Sequence, residues 1–138
     1  MAGIHTKRVL LGGLAAGLVS NVSGLLLAHF FLAGDVRALL ERLNVQLGLG
    51  TALLHLGMRF GVGISLVWLY AAIRPRFGPG PRTAALAGLA LWFFTYAFSL
   101  LGIAPYGLYP ASTLVIAAVW GLGELQLAAL AGAYLYRE

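Results

Sequence analysis

Arg59 and Glu124 are the residues of this sequence best suited to chemistry, because each is the one charged residue of a long apolar stretch. A charge inside the hydrocarbon core of a bilayer is costly, so such a residue faces the interior of a helix bundle and finds a partner. The other apolar stretches contain no Asp, Glu, Lys or Arg. The sequence therefore predicts that Arg59 and Glu124 are each other's counter-ion.

Uncharged polar residues are predicted to share the depth of this pair. Depth can be counted at about 1.5 Å per helical residue from the basic residue that ends each apolar stretch. On this count one polar residue of each stretch lies at roughly 20 to 23 Å: Asn21, Arg59, Thr95 and Glu124. Tyr96 is next to Thr95, and the five side chains form a predicted polar layer that is the candidate ligand-binding site.

The polar layer has three interpretations. Arg59 and Glu124 can line a cavity that binds a small anion, a proton or a polar substrate. They can instead form a structural ion pair that, with Asn21, holds the helices in register. Arg59 can also lie nearer the outer surface and extend its guanidinium to the interface. No catalytic residue is predicted, and the sequence favours a protein that is not an enzyme, because it contains no recognised catalytic motif.

His29 and His55 form a second, weaker candidate site. The same count places them about 31 Å and 28 Å from the basic residues that end their stretches. Both can therefore lie at a similar depth, near the opposite face of the membrane. Two histidines on neighbouring helices can ligate a haem iron or contribute to a metal site. No haem-attachment motif and no cysteine is present. The sequence therefore predicts no cofactor, and haem or metal binding at His29 and His55 remains an alternative.

The composition is that of a membrane protein. Of the 138 residues, 61% are hydrophobic and 9% are charged, whereas about 25% are charged in an ordinary soluble domain. The formal net charge is +5, but the basic residues fall between apolar stretches and do not cluster on one solvated face. A nucleic-acid partner is therefore not expected, and the predicted partner is the lipid bilayer.

Four apolar stretches are long enough to cross a bilayer, which requires about 20 helical residues. They cover approximately residues 9–33, 51–73, 83–104 and 111–136. The sequence therefore predicts an all-α, polytopic membrane protein with a single transmembrane domain that comprises residues 1–138. Between the first two stretches, residues 34–46 have the pattern of a short amphipathic helix, and a solvated loop is the alternative.

The distribution of basic residues predicts the orientation. Six lie on one side of the predicted membrane and two on the other; the six are Lys7, Arg8, Arg74, Arg76, Arg82 and Arg137. The protein is therefore expected in the inner membrane of the cell, with both termini on the cytoplasmic side. Pro75 is predicted to end the second span within the turn RPRFGPGPR.

Closely spaced glycines favour a compact antiparallel four-helix bundle. Gly13–Gly17 and Gly57–Gly61 have GxxxG spacing, and pairs such as Ser20–Gly24 and Ala117–Gly121 are looser versions of it. Small residues at this spacing allow the backbones of neighbouring helices to approach closely.

The stretches KRVLLGGLAAGLV, VWLYAAIRPRFGPGPRTAALAGLALWF and GLGELQLAALAGAYLYRE resemble small four-span bacterial integral membrane proteins, a group with no assigned activity. The resemblance implies a bacterial inner membrane and no role for any residue. From the residues themselves, we expect binding or transport of a small polar or ionic ligand at Arg59, Glu124 and Asn21. The alternative is an accessory or assembly subunit of a larger membrane complex, or a homo-oligomer.

Overall fold

The computed structural model describes residues 3–136, and all of their regular elements are helices. The α-helices are α1 (Thr6–Leu27), α2 (Ala33–Leu43), α3 (Leu49–Phe77), α4 (Pro81–Trp92), α5 (Phe98–Ile103) and α6 (Ala111–Leu135). Two π-helical turns, π1 (Ala28–Leu32) and π2 (Phe93–Ala97), connect α1 to α2 and α4 to α5, and a 3₁₀ turn (Ala104–Tyr106) follows α5. These residues therefore form four long helices, which comprise residues 6–43, 49–77, 81–106 and 111–135.

These four helices are long and apolar enough to cross a membrane, as the sequence predicts. At most 33% of the residues in their most apolar windows are buried within the chain. Large side chains such as Leu25, Leu101 and Val119 are more than 60% exposed. Helices that are apolar on all sides are typical of a membrane span or of the core of a large protein.

The first long helix extends well beyond the predicted end near residue 33. The amphipathic segment is helical, as predicted, because α2 (Ala33–Leu43) covers most of it, and α2 follows α1 through π1 without a loop. No proline interrupts this segment. The helix ends at Asn44, which has the left-handed conformation (φ 52°) that commonly terminates helices.

The prediction that Pro75 ends the second span is wrong, because α3 continues to Phe77. Proline lacks an N–H and crowds the preceding turn, but near a helix end this removes a single intrahelical bond. The helix remains closed after it, since Gly78 N donates to Arg74 O at 2.8 Å. The turn is made by residues 78–80, where Gly78 and Gly80 have positive φ, and Pro81 begins α4 at a position that suits its fixed φ.

The packing centres on α1 and α6. The most extensive contacts of α1 are with α3 and then α6, and α6 also packs on α4. Successive contacts between α1 and α3 join Gly13 to Ile64, Gly17 to Phe60 and Asn21 to Leu56, so rising numbers on α1 meet falling numbers on α3. The buried core is small-residue-rich, with Ala16, Leu66, Val67, Ala84, Ala87, Leu125 and Ala128 each 0% exposed.

The two GxxxG pairs differ in their surroundings. A Cβ on Gly13 or Gly17 would lie within 3 Å of α3 backbone atoms, so both glycines permit a close approach of the two helices. By contrast, a Cβ on Gly57 or Gly61 would meet no atom of residues 3–136 within 4 Å. The second pair therefore lies on an open face of α3.

Candidate functional site

An ion pair between α3 and α6 forms the centre of the candidate site. Arg59 Nη1 lies 3.0 Å from Glu124 Oε1, and the Glu124 side chain is 2% exposed while that of Arg59 is 30% exposed. Glu124 lies on the face of α6 that packs into the bundle, next to the buried Leu125. The two residues that the sequence singled out are therefore in contact, and Arg59 points inward.

Two further hydrogen bonds meet at this ion pair. Arg59 Nη1 also donates to Ser20 O of α1, at 2.7 Å, and the Tyr96 hydroxyl donates to Glu124 Oε1 at 3.1 Å. One carboxylate oxygen thus accepts from both Arg59 and Tyr96. This differs from the two parallel bonds of a bidentate arginine–carboxylate pair, in which both oxygens are used.

Two buried polar atoms in and beside this cluster lack a partner. Glu124 Oε2 and Ser20 Oγ are both buried, and neither has a hydrogen-bond partner within residues 3–136. A buried polar atom without a partner costs roughly 1–3 kcal/mol, and more when the group is charged. The described residues therefore leave unused hydrogen-bonding capacity at Glu124.

Two glycines make room for the cluster, and the sequence did not assign them this role. A Cβ on Gly24 would overlap the guanidinium of Arg59. A Cβ on Gly121 would overlap the ring of Tyr96. In the sequence, Gly24 and Gly121 stand four residues after Ser20 and Ala117, a spacing that indicates close helix packing. This spacing does not show that the glycines make room for Arg59 and Tyr96.

Tyr96 reaches the cluster from π2, whereas its predicted neighbour Thr95 does not. The Thr95 hydroxyl donates to Leu91 O in its own helix, at 2.8 Å. A π-helical turn accommodates an extra residue and changes which side chain faces a neighbouring helix, and such turns are frequent at functional sites. A depth count for a regular α-helix does not include this extra residue.

Asn21 lies at the edge of the cluster and joins α1 to α3. Its side-chain amide donates to Gly17 O at 2.9 Å and approaches Leu56 O at 3.5 Å, and the residue is 8% exposed. The hydrogen bonds of Asn21 thus go to backbone carbonyls, which suits a residue that holds two helices together.

A groove lies beside the cluster, between α6 and α1. Its volume is about 520 Å³, and it is lined by Ser23, Val115, Ile116, Val119, Trp120, Gly123, Glu124 and Leu127. One wall is fixed by a hydrogen bond from Trp120 Nε1 to Ser23 Oγ, at 2.8 Å. The buried carboxylate residue Glu124 therefore also borders an open, mainly apolar groove.

His29 and His55 are not drawn into this site. Both side chains are exposed. The His29 ring packs edge-on against Phe30, and His55 Nδ1 lies 2.8 Å from Thr51 O in its own helix. Within the described part of the chain, no group of three or more His, Asp or Glu side chains could hold a metal ion.

The cluster thus combines a cation, an anion, a phenol and a hydroxyl within the apolar bundle, which suits binding of a small group that donates or shares a hydrogen. No protein-family model matches the chain, and no curated protein or solved structure matches it. The geometry of the cluster therefore carries the functional conclusion.

Proposed function

We propose that this chain is a multi-pass protein of a bacterial inner membrane that binds and transports a small polar or ionic ligand at Arg59 and Glu124. The four long helices form an antiparallel bundle with both termini in the cytoplasm. The falling-against-rising contacts of α1 and α3 support the antiparallel arrangement. The basic residues concentrated at one end of the helices support the orientation.

The observation that carries the binding role is the unpartnered Glu124 Oε2. A pair that served packing alone would gain from using both carboxylate oxygens, since each unused buried atom is destabilising. Here Arg59 and Tyr96 share Oε1, and Oε2 has no partner among residues 3–136. The arrangement leaves one buried acceptor unused in a residue that borders an open groove.

Thermal unfolding of the purified protein in lipid nanodiscs tests this proposal. The wild type is screened with a panel of chloride, acetate, ammonium and guanidinium salts and of uncharged polar solutes. We expect at least one to raise the melting temperature, and Glu124→Gln and Arg59→Ala to remain folded and lose that response. Liposome uptake of the same solute then tests transport.

The alternative of a purely structural ion pair gives a different result. Both single variants would then unfold, because each leaves a buried charge without its partner. The double apolar variant Arg59→Met/Glu124→Leu would restore or exceed the wild-type stability. That pattern, with no stabilising solute, would refute the binding proposal.

The open face of α3 favours a second candidate function, that of an accessory subunit in a larger membrane complex or a homo-oligomer. Gly57 and Gly61 have GxxxG spacing and no atom of residues 3–136 near their Cβ positions, and such faces allow another helix to pack closely. Gentle detergent purification should then recover a stoichiometric partner or a dimer. Gly61→Leu should release it, whereas Gly3→Leu should not.

A further inference from the structure

The groove is lined by residues of α6 together with Ser23 of α1, and Glu124 is the one ionisable residue of this lining. Ile116, Trp120, Gly123 and Leu127 recur at three- and four-residue spacing, so they lie along one face of α6. Val119 is 67% exposed and Leu127 62% exposed, so the walls are open to the surroundings. The volume of about 520 Å³ lies within the roughly 300–1,000 Å³ typical of small-molecule sites.

The polar element of the groove is an acceptor. Glu124 borders the groove, and its Oε2 is buried without a donor from residues 3–136, so a head group reaches it when the Glu124 side chain turns toward the groove. Arg59 already donates to the other oxygen, Oε1, and serves as the counter-ion of the carboxylate. Oε2 therefore requires a hydrogen-bond donor, and this donor need not carry a positive charge. The indole N–H of Trp120, which could hold an acceptor group, is used by Ser23.

From these features we propose that the α1–α6 groove binds an amphiphile with an apolar body and a hydrogen-bond-donating head, an amine or an alcohol, at Glu124. The apolar body lies against Val119 and Leu127, where it replaces lipid and leaves no polar group unsatisfied. A carboxylate or phosphate head is disfavoured, because it would place a second negative charge beside Glu124. This inference rests on the proposed function, since it places the polar head of the ligand at the same Glu124 and adds an apolar body that lies in the groove.

Native mass spectrometry with three probes of equal chain length tests the head group. The probes are dodecylamine, dodecanol and dodecanoate, each added to the full-length protein in detergent. We expect one molecule of dodecylamine or dodecanol to be retained per chain, and about tenfold less dodecanoate. The amine and alcohol arms distinguish a charged from a neutral donor. Equal retention of dodecanoate, or no retention of either donor probe, would overturn the inference.

Gly123 offers a variant that fills the groove, with a matched control. A Cβ on Gly123 or on Gly102 would meet no atom of residues 3–136 within 4 Å, so both positions have open space for a side chain. Gly123 lines the groove, whereas Gly102 lies in α5, away from it. We expect Gly123→Leu to reduce probe retention about tenfold and Gly102→Leu to leave it unchanged.

Further variants separate this inference from the proposed function. If Gly123→Leu loses its folded melting transition, Leu127→Trp fills the groove instead. Glu124→Leu should abolish retention of both donor probes, and retention that persists would show that the groove is a lipid slot without head-group selection. A small polar solute that stabilises wild type and Gly123→Leu equally, without probe retention, would leave the proposed function standing and refute the amphiphile.

Discussion

A single nitrogen of Arg59 links three helices. Its Nη1 donates to Glu124 of α6 and to the Ser20 carbonyl of α1, while the residue itself belongs to α3. Tyr96 also donates to Glu124 Oε1, and it brings in the remaining long helix, residues 81–106. A change at any of these atoms is therefore expected to affect the packing of the bundle as well as the candidate site.

Gly24→Ala should perturb this cluster without removing a polar group. The new methyl group would overlap the Arg59 guanidinium, and moving that group would weaken its hydrogen bonds to Ser20 and Glu124, each worth about 0.5–1.5 kcal/mol. Thermal unfolding in nanodiscs should therefore show a lower melting temperature. Gly57→Ala is the control, since its Cβ would lie in open space; equal melting temperatures for the two variants would contradict the assigned position of Arg59.

Tyr96→Phe should weaken the cluster while the ring remains packed on Gly121. The lost hydrogen bond to Glu124 should lower the free energy of unfolding by about 0.6–1.7 kcal/mol, the scale of interhelical hydrogen bonds in membranes. Equilibrium unfolding in mixed micelles measures this difference. Tyr106→Phe, at a residue 75% exposed, is expected to have no effect, and a similar loss there would argue against a specific role for Tyr96.

At the scale of elements, the apolar runs predict four long helices, because a membrane-spanning helix requires an uninterrupted run of apolar residues. The structure confirms four helices of this length and composition. The pairing partner of Arg59 could be inferred because one acidic residue lay within the runs. The role of Tyr96 over Thr95 could not, since a π turn adds a residue that a depth count for a regular α-helix does not include. The end of α3 did have a sequence signal, because glycine commonly follows the last residue of a helix, and Gly78 does so here.

α2 is tied to the start of α6 by a side-chain contact. Thr113 Oγ1 donates to Asp35 Oδ2, and Arg42 Nη2 approaches Leu108 O at 3.4 Å in the turn before α6. Thr113→Val should release α2, because valine keeps the shape and removes the donor. Amide exchange in residues 33–43 should accelerate about tenfold, the equivalent of about 1.4 kcal/mol. Ser112→Ala, at the exposed neighbouring position, should leave that rate unchanged.

At the scale of the whole molecule, the absence of cysteine from the sequence makes the proposed topology directly testable. Single-cysteine variants at Arg76 and at Leu108 place one thiol at the end of α3 and one in the turn before α6. In intact cells, a membrane-impermeant maleimide should label Leu108→Cys, and Arg76→Cys should react after lysis. Labelling of Arg76→Cys from outside would reverse the proposed orientation, and labelling of both would contradict a four-span bundle.

The continuous first helix, from Thr6 to Leu43, has a consequence for how its contacts are coupled. Its 38 residues correspond to about 57 Å at about 1.5 Å per residue, almost twice the roughly 30 Å of a hydrocarbon core. Ser20, whose carbonyl accepts from Arg59, and Asp35, which accepts from Thr113, both belong to this helix. A displacement of the helix at the ion pair should therefore also move α2 against the start of α6.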